Sequence, residues 1–130
     1  LEHFAYSDNS TYPLLAEMWF AWGLALDGPV AAQLMHWFCG VLTAGAAYVA
    51  ARPLVGRDGS IAAACIVLLT PGINNQMTAP LNDVALAVFT TLSFAAAYRA
   101  VTTNDLRAYA ATGIFLAGAL GVKLTGFIFL

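Results

Sequence analysis

Residues 28–51 read GPVAAQLMHWFCGVLTAGAAYVAA, and this stretch decides the fold class. It carries no formal charge from end to end, and His36 is its one imidazole. A helix of about 20 mostly apolar residues crosses the roughly 30 Å hydrocarbon core of a bilayer. The stretch is therefore long enough to form a transmembrane helix. Residues 59–82 form a second uncharged stretch.

The composition of the whole chain follows the same pattern. Hydrophobic residues make up 61% of the 130 residues and charged residues 9%, whereas soluble domains have about 45–50% and about 25%. The net charge of −2 leaves no basic patch for a nucleic acid, and this composition is the opposite of a disordered chain's. Cys39 and Cys65 lie within apolar runs, which indicates packing residues rather than a disulfide scaffold. These features indicate an integral membrane protein.

The uncharged runs and the turn residues between them predict an all-α fold, a polytopic transmembrane helix bundle with about four spans plus one interfacial helix. A helix over residues 13–26 would be about 21 Å long, too short to span, and its aromatic ends favour the outer membrane surface. We divide the chain into part of an outer loop at residues 1–12, this interfacial helix at 13–27, and transmembrane helices at 28–130. The predicted spans are Val30–Ala51, Ser60–Asn75, Asp83–Val101 and Leu106–Gly126.

Small residues recur at intervals of four in two of these spans. Gly113, Ala117 and Gly121 form one row, and Gly40 and Ala44 form another. Such rows let helix backbones approach closely inside a bilayer. They predict helix–helix contacts.

Most basic residues fall at one end of the predicted bundle. That end carries Arg52, Arg57, Arg99 and Arg107, whereas Lys123 is the only basic residue at the other end. The positive-inside rule assigns the arginine-rich end to the cytoplasm. The opposite end, which carries most of the carboxylates, is then the outer face.

Ionisable groups near the outer end are candidates for binding, since charges at membrane depth are costly. Asp83 opens the third span, where it would either cap the helix or bind a metal, a sugar hydroxyl or a cation. Lys123 would either snorkel to the interface or hold a phosphate or pyrophosphate. Glu17 has no basic residue within four positions and would face water or join the site. We expect His36 to pack inside the bundle rather than to bind a metal.

Five short motifs occur in an order that resembles a known family. They are YPLLAEM (12–18), ARPLVGR (51–57), LTP (69–71), NDVALA (82–87) and LGVKLTG (120–126). Their order over nearly the whole chain is similar to the early membrane segment of bacterial integral-membrane glycosyltransferases of the GT-C fold. These are relatives of the dolichyl-phosphate-mannose protein mannosyltransferases and of the lipid A aminoarabinose transferase.

The resemblance implies an inverting transfer of a sugar from a polyprenyl-phosphate carrier to a protein, lipid or glycan acceptor, at the outer face of the inner membrane. It implies that Asp83 and Lys123 bind substrate, with Lys123 near the carrier phosphate, and that Glu17 occupies an acidic position of less defined role. A carboxylate would deprotonate the acceptor hydroxyl as the phosphate leaves. The resemblance implies no particular cofactor, and a divalent metal is compatible with this chemistry. No residue shows metal-ligand spacing.

One departure from the family concerns the catalytic carboxylate, which follows the family's first transmembrane helix. The chain begins at Leu1 without such a helix, and Asp8 stands too close to the Tyr12-Pro13 motif to be that acid. We therefore expect an N-terminal-side fragment, inactive alone, with its general base upstream of Leu1. Two other classes stay open, a segment of a secondary transporter or permease and a non-catalytic membrane scaffold subunit. Ionisable residues clustered at one face, rather than at the midplane, favour the enzyme.

Overall fold

The computed structural model describes residues 14–79 and 81–129, and this part of the chain is all helical. No strand occurs in it, which confirms the predicted all-α fold class. The predicted outer loop at residues 1–12 lies outside the described residues. The helices are α1 (Leu15–Leu69), α2 (Pro71–Met77), α3 (Asn82–Thr103), α4 (Leu106–Val122) and a final 3₁₀ helix (Leu124–Phe129).

Helix α1 is broken twice, at Asp27-Gly28 and at Gly56. Gly28 has φ 73° and Gly56 has φ 70°, a conformation that glycine alone adopts without strain. The breaks divide α1 into a first segment (15–26), a second (29–55) and a third (57–69). The predicted spans Val30–Ala51 and Ser60–Asn75 imply a non-helical stretch at residues 52–59, which is wrong except at Gly56, because the helix continues through Pro53 and restarts directly after Gly56.

The first segment folds back along the second as an antiparallel helical hairpin. The rings of Phe20 and His36 lie 5.4 Å apart. Closer to the hairpin tip, a Cβ added to Gly23 would lie 2.9 Å from the Cα of Ala32. The structure thus has a short helix over residues 15–26, within the range 13–27 given by the sequence. Its place at the membrane surface stays a prediction.

Helices α3 and α4 form an antiparallel pair that packs against the second segment of α1. The Thr43 hydroxyl lies 3.4 Å from the Val84 carbonyl oxygen, so α3 begins about halfway along that segment. Gly118 of α4 faces the Phe89 ring of α3. Apart from Phe20, the buried core consists of small and medium side chains, and it brings the beginning of α3 beside the end of α4.

Two helices, Leu15–Leu69 and Asn82–Thr103, are long and apolar enough to cross a bilayer. Helix α4 is shorter, with 17 residues, about 26 Å of helix. Large apolar side chains point outward, among them Leu69 at 78% exposed and Leu106 at 81%. A monomeric soluble protein rarely exposes so extensive an apolar surface, whereas lipid tails or neighbouring apolar helices match it.

Two predicted spans end differently in the structure. The predicted span Ser60–Asn75 is cut at Thr70, whose ψ of 116° is extended, and Pro71 starts α2. Pro71 has no N–H with which to continue the preceding helix. The predicted span Leu106–Gly126 stops at Val122. Cys39 is buried as expected, but Cys65 is exposed, so the prediction of a packing role is wrong for Cys65.

Candidate functional site

Asp83 and Lys123 meet where α3 begins and α4 ends. The Lys123 Nζ atom donates a hydrogen bond to Asp83 Oδ1 at 2.6 Å. The side chains are 43% and 47% exposed, so a ligand can reach both from outside. Two candidates that the sequence singled out separately therefore form one ion pair.

The backbone at the end of α4 explains how Lys123 reaches α3. Lys123 is extended, with φ −156° and ψ 138°, and its N–H bonds to the Ala119 carbonyl to close the last helical turn. The 3₁₀ helix starts at the next residue. Lys123 thus stands at a change of backbone direction, where a continuous helix to Gly126 was predicted.

Asp83 does not cap its helix. Leu81 occupies the N-cap position of α3, and no side chain caps that end. Asp83 lies in the first turn, where a carboxylate still benefits from the positive end of the helix dipole. Its side chain is bonded to Lys123 instead. The capping alternative is therefore wrong for this residue.

Glu17, in the first segment of α1, also lies beside the beginning of α3. Its Oε1 atom accepts a hydrogen bond from the Asn82 side chain, which comes from α3, 65 residues along the chain. Its Oε2 atom is buried and has no hydrogen-bond partner within the described residues. Because Asn82 precedes Asp83 directly, the two polar pairs are neighbours. We call Glu17, Asn82, Asp83 and Lys123 the polar cluster.

Asn82 is the member of the polar cluster that the sequence interpretation missed. The signal was present, since Asn82 stands beside Asp83 in the NDVALA motif. It was not usable alone, because asparagine at a helix start most often indicates a cap. Only the tertiary contact with Glu17 shows its role.

His36 lies close to the polar cluster but inside the bundle. It is fully buried, its ring meets Phe20 edge to face at 70°, and the backbone of Gln76 lies next to it. These contacts match the expected packing role. Within residues 14–79 and 81–129, no group of three or more His, Cys, Asp or Glu side chains is placed to hold a metal ion.

An apolar groove of about 470 Å³ opens beside the polar cluster. It runs between the first segment of α1 and the α3–α4 pair. Two of its lining residues, Ala16 and Val122, are direct chain neighbours of Glu17 and Lys123. The remaining wall is formed largely by bulky apolar side chains, among them Leu15, Met18, Trp19, Trp22 and Phe89.

The arrangement combines three properties. It offers an ammonium group that a ligand can reach, a buried carboxylate oxygen without a partner in the described part of the chain, and an apolar groove next to both. An amphiphilic anion fits this combination, with its charged head at Lys123 and its apolar part in the groove.

The sequence model of the family described as dolichyl-phosphate-mannose-protein mannosyltransferase matches residues 11–130. This range contains every member of the polar cluster and nearly the whole chain. No curated protein and no solved structure matches the chain. The family match confirms the resemblance that the order of the five motifs indicates. The chain therefore belongs to the dolichyl-phosphate-mannose-protein mannosyltransferase family, a family of membrane glycosyltransferases of the GT-C type.

Proposed function

We propose that the polar cluster helps to bind a polyprenyl-phosphate-linked sugar, which the enzyme transfers to an acceptor at the outer membrane face. The Lys123–Asp83 ion pair at 2.6 Å is the observation that carries the proposal. It holds a reachable ammonium at the edge of an apolar groove. A polyprenyl phosphate has the matching halves, an anionic head and an apolar chain.

Lys123 is the phosphate ligand in this proposal. An ammonium group has three N–H donors, and Asp83 takes one of them, so two remain for phosphate oxygens. When the bond between the sugar and the phosphate breaks, negative charge grows on the departing phosphate. A fixed cation at that position stabilises the transition state more than the ground state.

Asp83 is a positioning residue in this proposal. Its carboxylate holds the flexible lysine side chain against the end of α3, which reduces the entropy lost when the phosphate binds. Glu17 has a different part. Asn82 holds its carboxylate through Oε1, and the buried Oε2 atom would accept a hydrogen bond from a sugar hydroxyl only after the side chain turns towards the groove.

The apolar groove supports the same donor class. Its volume of about 470 Å³ accommodates several isoprene units beside the phosphate, and Trp19 and Trp22 supply large apolar surfaces. Because the carrier chain already lies in an apolar bilayer, packing against these surfaces rather than removal from water would hold it in the groove. The groove is therefore expected to position the carrier chain, while Lys123 selects the phosphate.

The outer-face assignment rests on the arginines at the opposite end of α3. Arg52 and Arg99 both line a groove there, and the positive-inside rule assigns that end to the cytoplasmic side of the inner membrane. Cysteine labelling tests this. In a background without Cys39 and Cys65, a membrane-impermeant maleimide should label Asp27→Cys on intact cells and Asp58→Cys only after permeabilisation. The reverse pattern contradicts the assignment.

Transfer assays on the full-length protein in membranes test the binding role. With polyprenyl-phosphate mannose as donor, we expect Lys123→Ala to lower kcat/KM about 100-fold or more, a typical loss when one charge-stabilising group is removed. Lys123→Arg should retain part of the activity, since it keeps the charge. Arg107→Ala, at the far end of α4, is the matched control. Transfer that continues within about twofold in Lys123→Ala and Asp83→Ala would remove the polar cluster from the reaction.

A further inference from the structure

We propose that a second groove, at the opposite end of the helices from the polar cluster, binds an anionic phospholipid. The groove has a volume of about 640 Å³ and lies between the end of the second segment of α1, the second half of α3, and α4. Its polar wall consists of two arginines and two tyrosines. We call this place the arginine groove, and these residues are Arg52, Arg99, Tyr48 and Tyr98.

Both arginines keep hydrogen-bond donors for a ligand. Arg52 is exposed and has no ion pair within the described residues. Arg99 has one loose contact, 3.6 Å to Asp105, and its side chain is 70% exposed. Each guanidinium group has five N–H donors in a planar fork that matches a phosphate. A phosphodiester between the two guanidinium groups would receive paired, charge-assisted hydrogen bonds.

The hydroxyl groups that line the arginine groove differ in whether their protons are already used in hydrogen bonds. The hydroxyls of Thr102 and Thr103 already donate to carbonyl oxygens of α3, including that of Arg99. They therefore offer a phosphate no free proton. Tyr48 and Tyr98 line the same groove, and their phenolic hydroxyls can donate to a phosphodiester or to the glycerol of a headgroup. The polar wall thus suits a phospholipid headgroup.

The remaining wall suits acyl chains rather than a soluble anion. Small residues, Ala95 and Ala96, lie on one side, and Leu92 and Phe115 provide larger apolar surfaces. Small side chains on a membrane helix leave space that a neighbouring helix or a lipid tail fills. A helix there would leave Arg52 without a negative counterpart, whereas an anionic lipid supplies one. Charge complementarity therefore favours the lipid.

The net charge of the surrounding region also favours an anionic lipid. Four arginines and two aspartates, Asp58 and Asp105, give this end a formal net charge of +2. Basic pockets between membrane helices on the cytoplasmic side attract anionic headgroups, and each basic residue near the surface contributes about 1 kcal/mol, or about fivefold in affinity. Two arginines that contact the same phosphate are worth about 25-fold.

A lipid titration on the purified full-length protein tests this proposal. After delipidation in detergent, the thermal unfolding midpoint is followed against phosphatidylglycerol, with phosphatidylcholine as the neutral lipid and glycerol phosphate as the headgroup without tails. We expect saturable stabilisation by phosphatidylglycerol alone. The variant Arg52→Ala with Arg99→Ala should need about 25-fold more lipid for half of the effect.

The matched control removes the same charge from the same end but outside the groove, in Arg57→Ala with Arg107→Ala. It should bind phosphatidylglycerol almost as the unchanged protein does. Replacing Arg52 and Arg99 by Lys keeps the charge and loses the fork, and should give an intermediate value. Ala96→Phe narrows the groove and should weaken lipid binding with both arginines in place.

Three results would overturn the proposal. Equal losses in the two double variants would mean a diffuse charge effect and no site. Stabilisation by glycerol phosphate as strong as by the lipid would mean a soluble anion site. An unchanged titration in Arg52→Ala with Arg99→Ala would exclude the arginine groove as a binding site for either the lipid or a soluble anion. Because the readout is lipid binding, a failure here leaves sugar transfer at the polar cluster unaffected.

Discussion

The Lys123 ammonium lies 2.6 Å from the Asp83 carboxylate, although 40 residues separate them in the sequence. The pair joins the end of α4 to the beginning of α3. Both side chains are nearly half exposed, and exposed ion pairs contribute only about 0–1 kcal/mol to stability. The pair is thus a weak device for stabilising the fold. Its place beside the apolar groove is better explained by ligand binding.

The first prediction separates stability from activity at this pair. A double-mutant cycle of Asp83→Asn and Lys123→Met should give a coupling in the free energy of unfolding below about 1 kcal/mol. Sugar transfer by the full-length protein should fall about 100-fold or more in Lys123→Met. Unfolding in detergent and initial transfer rates measure the two quantities.

A charge-swapped protein, Asp83→Lys with Lys123→Asp, is the control for this prediction. It restores the attraction between the two helices but moves the cation to α3. We expect it to regain stability without regaining transfer. If transfer returned with the stability, the ion pair would act only as a structural link.

The second prediction concerns the Asn82–Glu17 hydrogen bond. Asn82→Ala removes the one hydrogen-bond partner that the Glu17 carboxylate has within residues 14–79 and 81–129, where its second oxygen is already buried without one. Loss of a hydrogen bond to a charged group costs about 1.5–3 kcal/mol. The unfolding free energy of the full-length protein should fall by that amount.

Asn74→Ala is the matched control, because Asn74 is exposed and its side chain makes no hydrogen bond in the described structure. It should change the unfolding free energy by less than about 0.5 kcal/mol. Adding Glu17→Ala to Asn82→Ala should recover part of the loss, since no unpaired carboxylate then remains. A larger loss in the double variant would mean that Glu17 packs against something other than Asn82.

The sequence sufficed for the fold class and for the identity of most site residues. Uncharged stretches and turn residues predict helices, and three of the four members of the polar cluster were candidates because a charge near a membrane demands an explanation. Asp105 caps α4 between the third and fourth predicted spans, with its carboxylate accepting from the Arg107 N–H at 3.0 Å. All of these signals are local.

The features that could not be predicted depend on which helix faces contact each other in the folded chain. The predicted row of small residues at Gly113, Ala117 and Gly121 makes a close contact at Gly121, where an added Cβ would lie 3.2 Å from the Leu15 side chain, whereas Gly113 meets open space. A further close contact in α4, outside that row, is at Gly118, opposite Phe89. Spacing reveals a face of a helix but not which face its neighbour covers. The same limit hid Asn82, whose partner Glu17 is distant in the chain.

The third prediction concerns the break in α1 at Gly56. An alanine there would have to adopt φ 70° with ψ −166°, a region that is essentially restricted to glycine and costs other residues about 1–3 kcal/mol. Gly56→Ala should therefore lower the unfolding free energy by that amount. Gly45→Ala is the matched control, because Gly45 is helical and its added Cβ meets nothing within 4 Å.

Gly45→Ala should leave stability unchanged or raise it by up to about 1 kcal/mol, since alanine is the better helix former. Thermal unfolding in the same detergent compares the two variants. If both behaved alike, the third segment would not need the break at Gly56, and α1 would continue past residue 55 as one straight helix.

The fourth prediction connects helix packing with the site. A Cβ added to Gly118 would overlap the Phe89 ring, so Gly118→Ala must move that ring or separate α3 from α4. These helices carry Asp83 and Lys123 at their adjoining ends. Small displacements of catalytic groups reduce rates strongly, by about 100-fold for roughly 1 Å. We expect Gly118→Ala to reduce sugar transfer more than its loss of stability explains.

Gly113→Ala on the same helix is the matched control, because its Cβ meets nothing within 4 Å. It should transfer sugar at the normal rate. Combining Gly118→Ala with Phe89→Leu removes the overlapping ring and should restore part of the activity. Neither Gly118 nor Phe89 belongs to the polar cluster. Recovery would therefore show that the spacing of α3 and α4 sets the position of Lys123. Unchanged activity in Gly118→Ala would mean that the ring moves aside freely and that the interface tolerates the added methyl group.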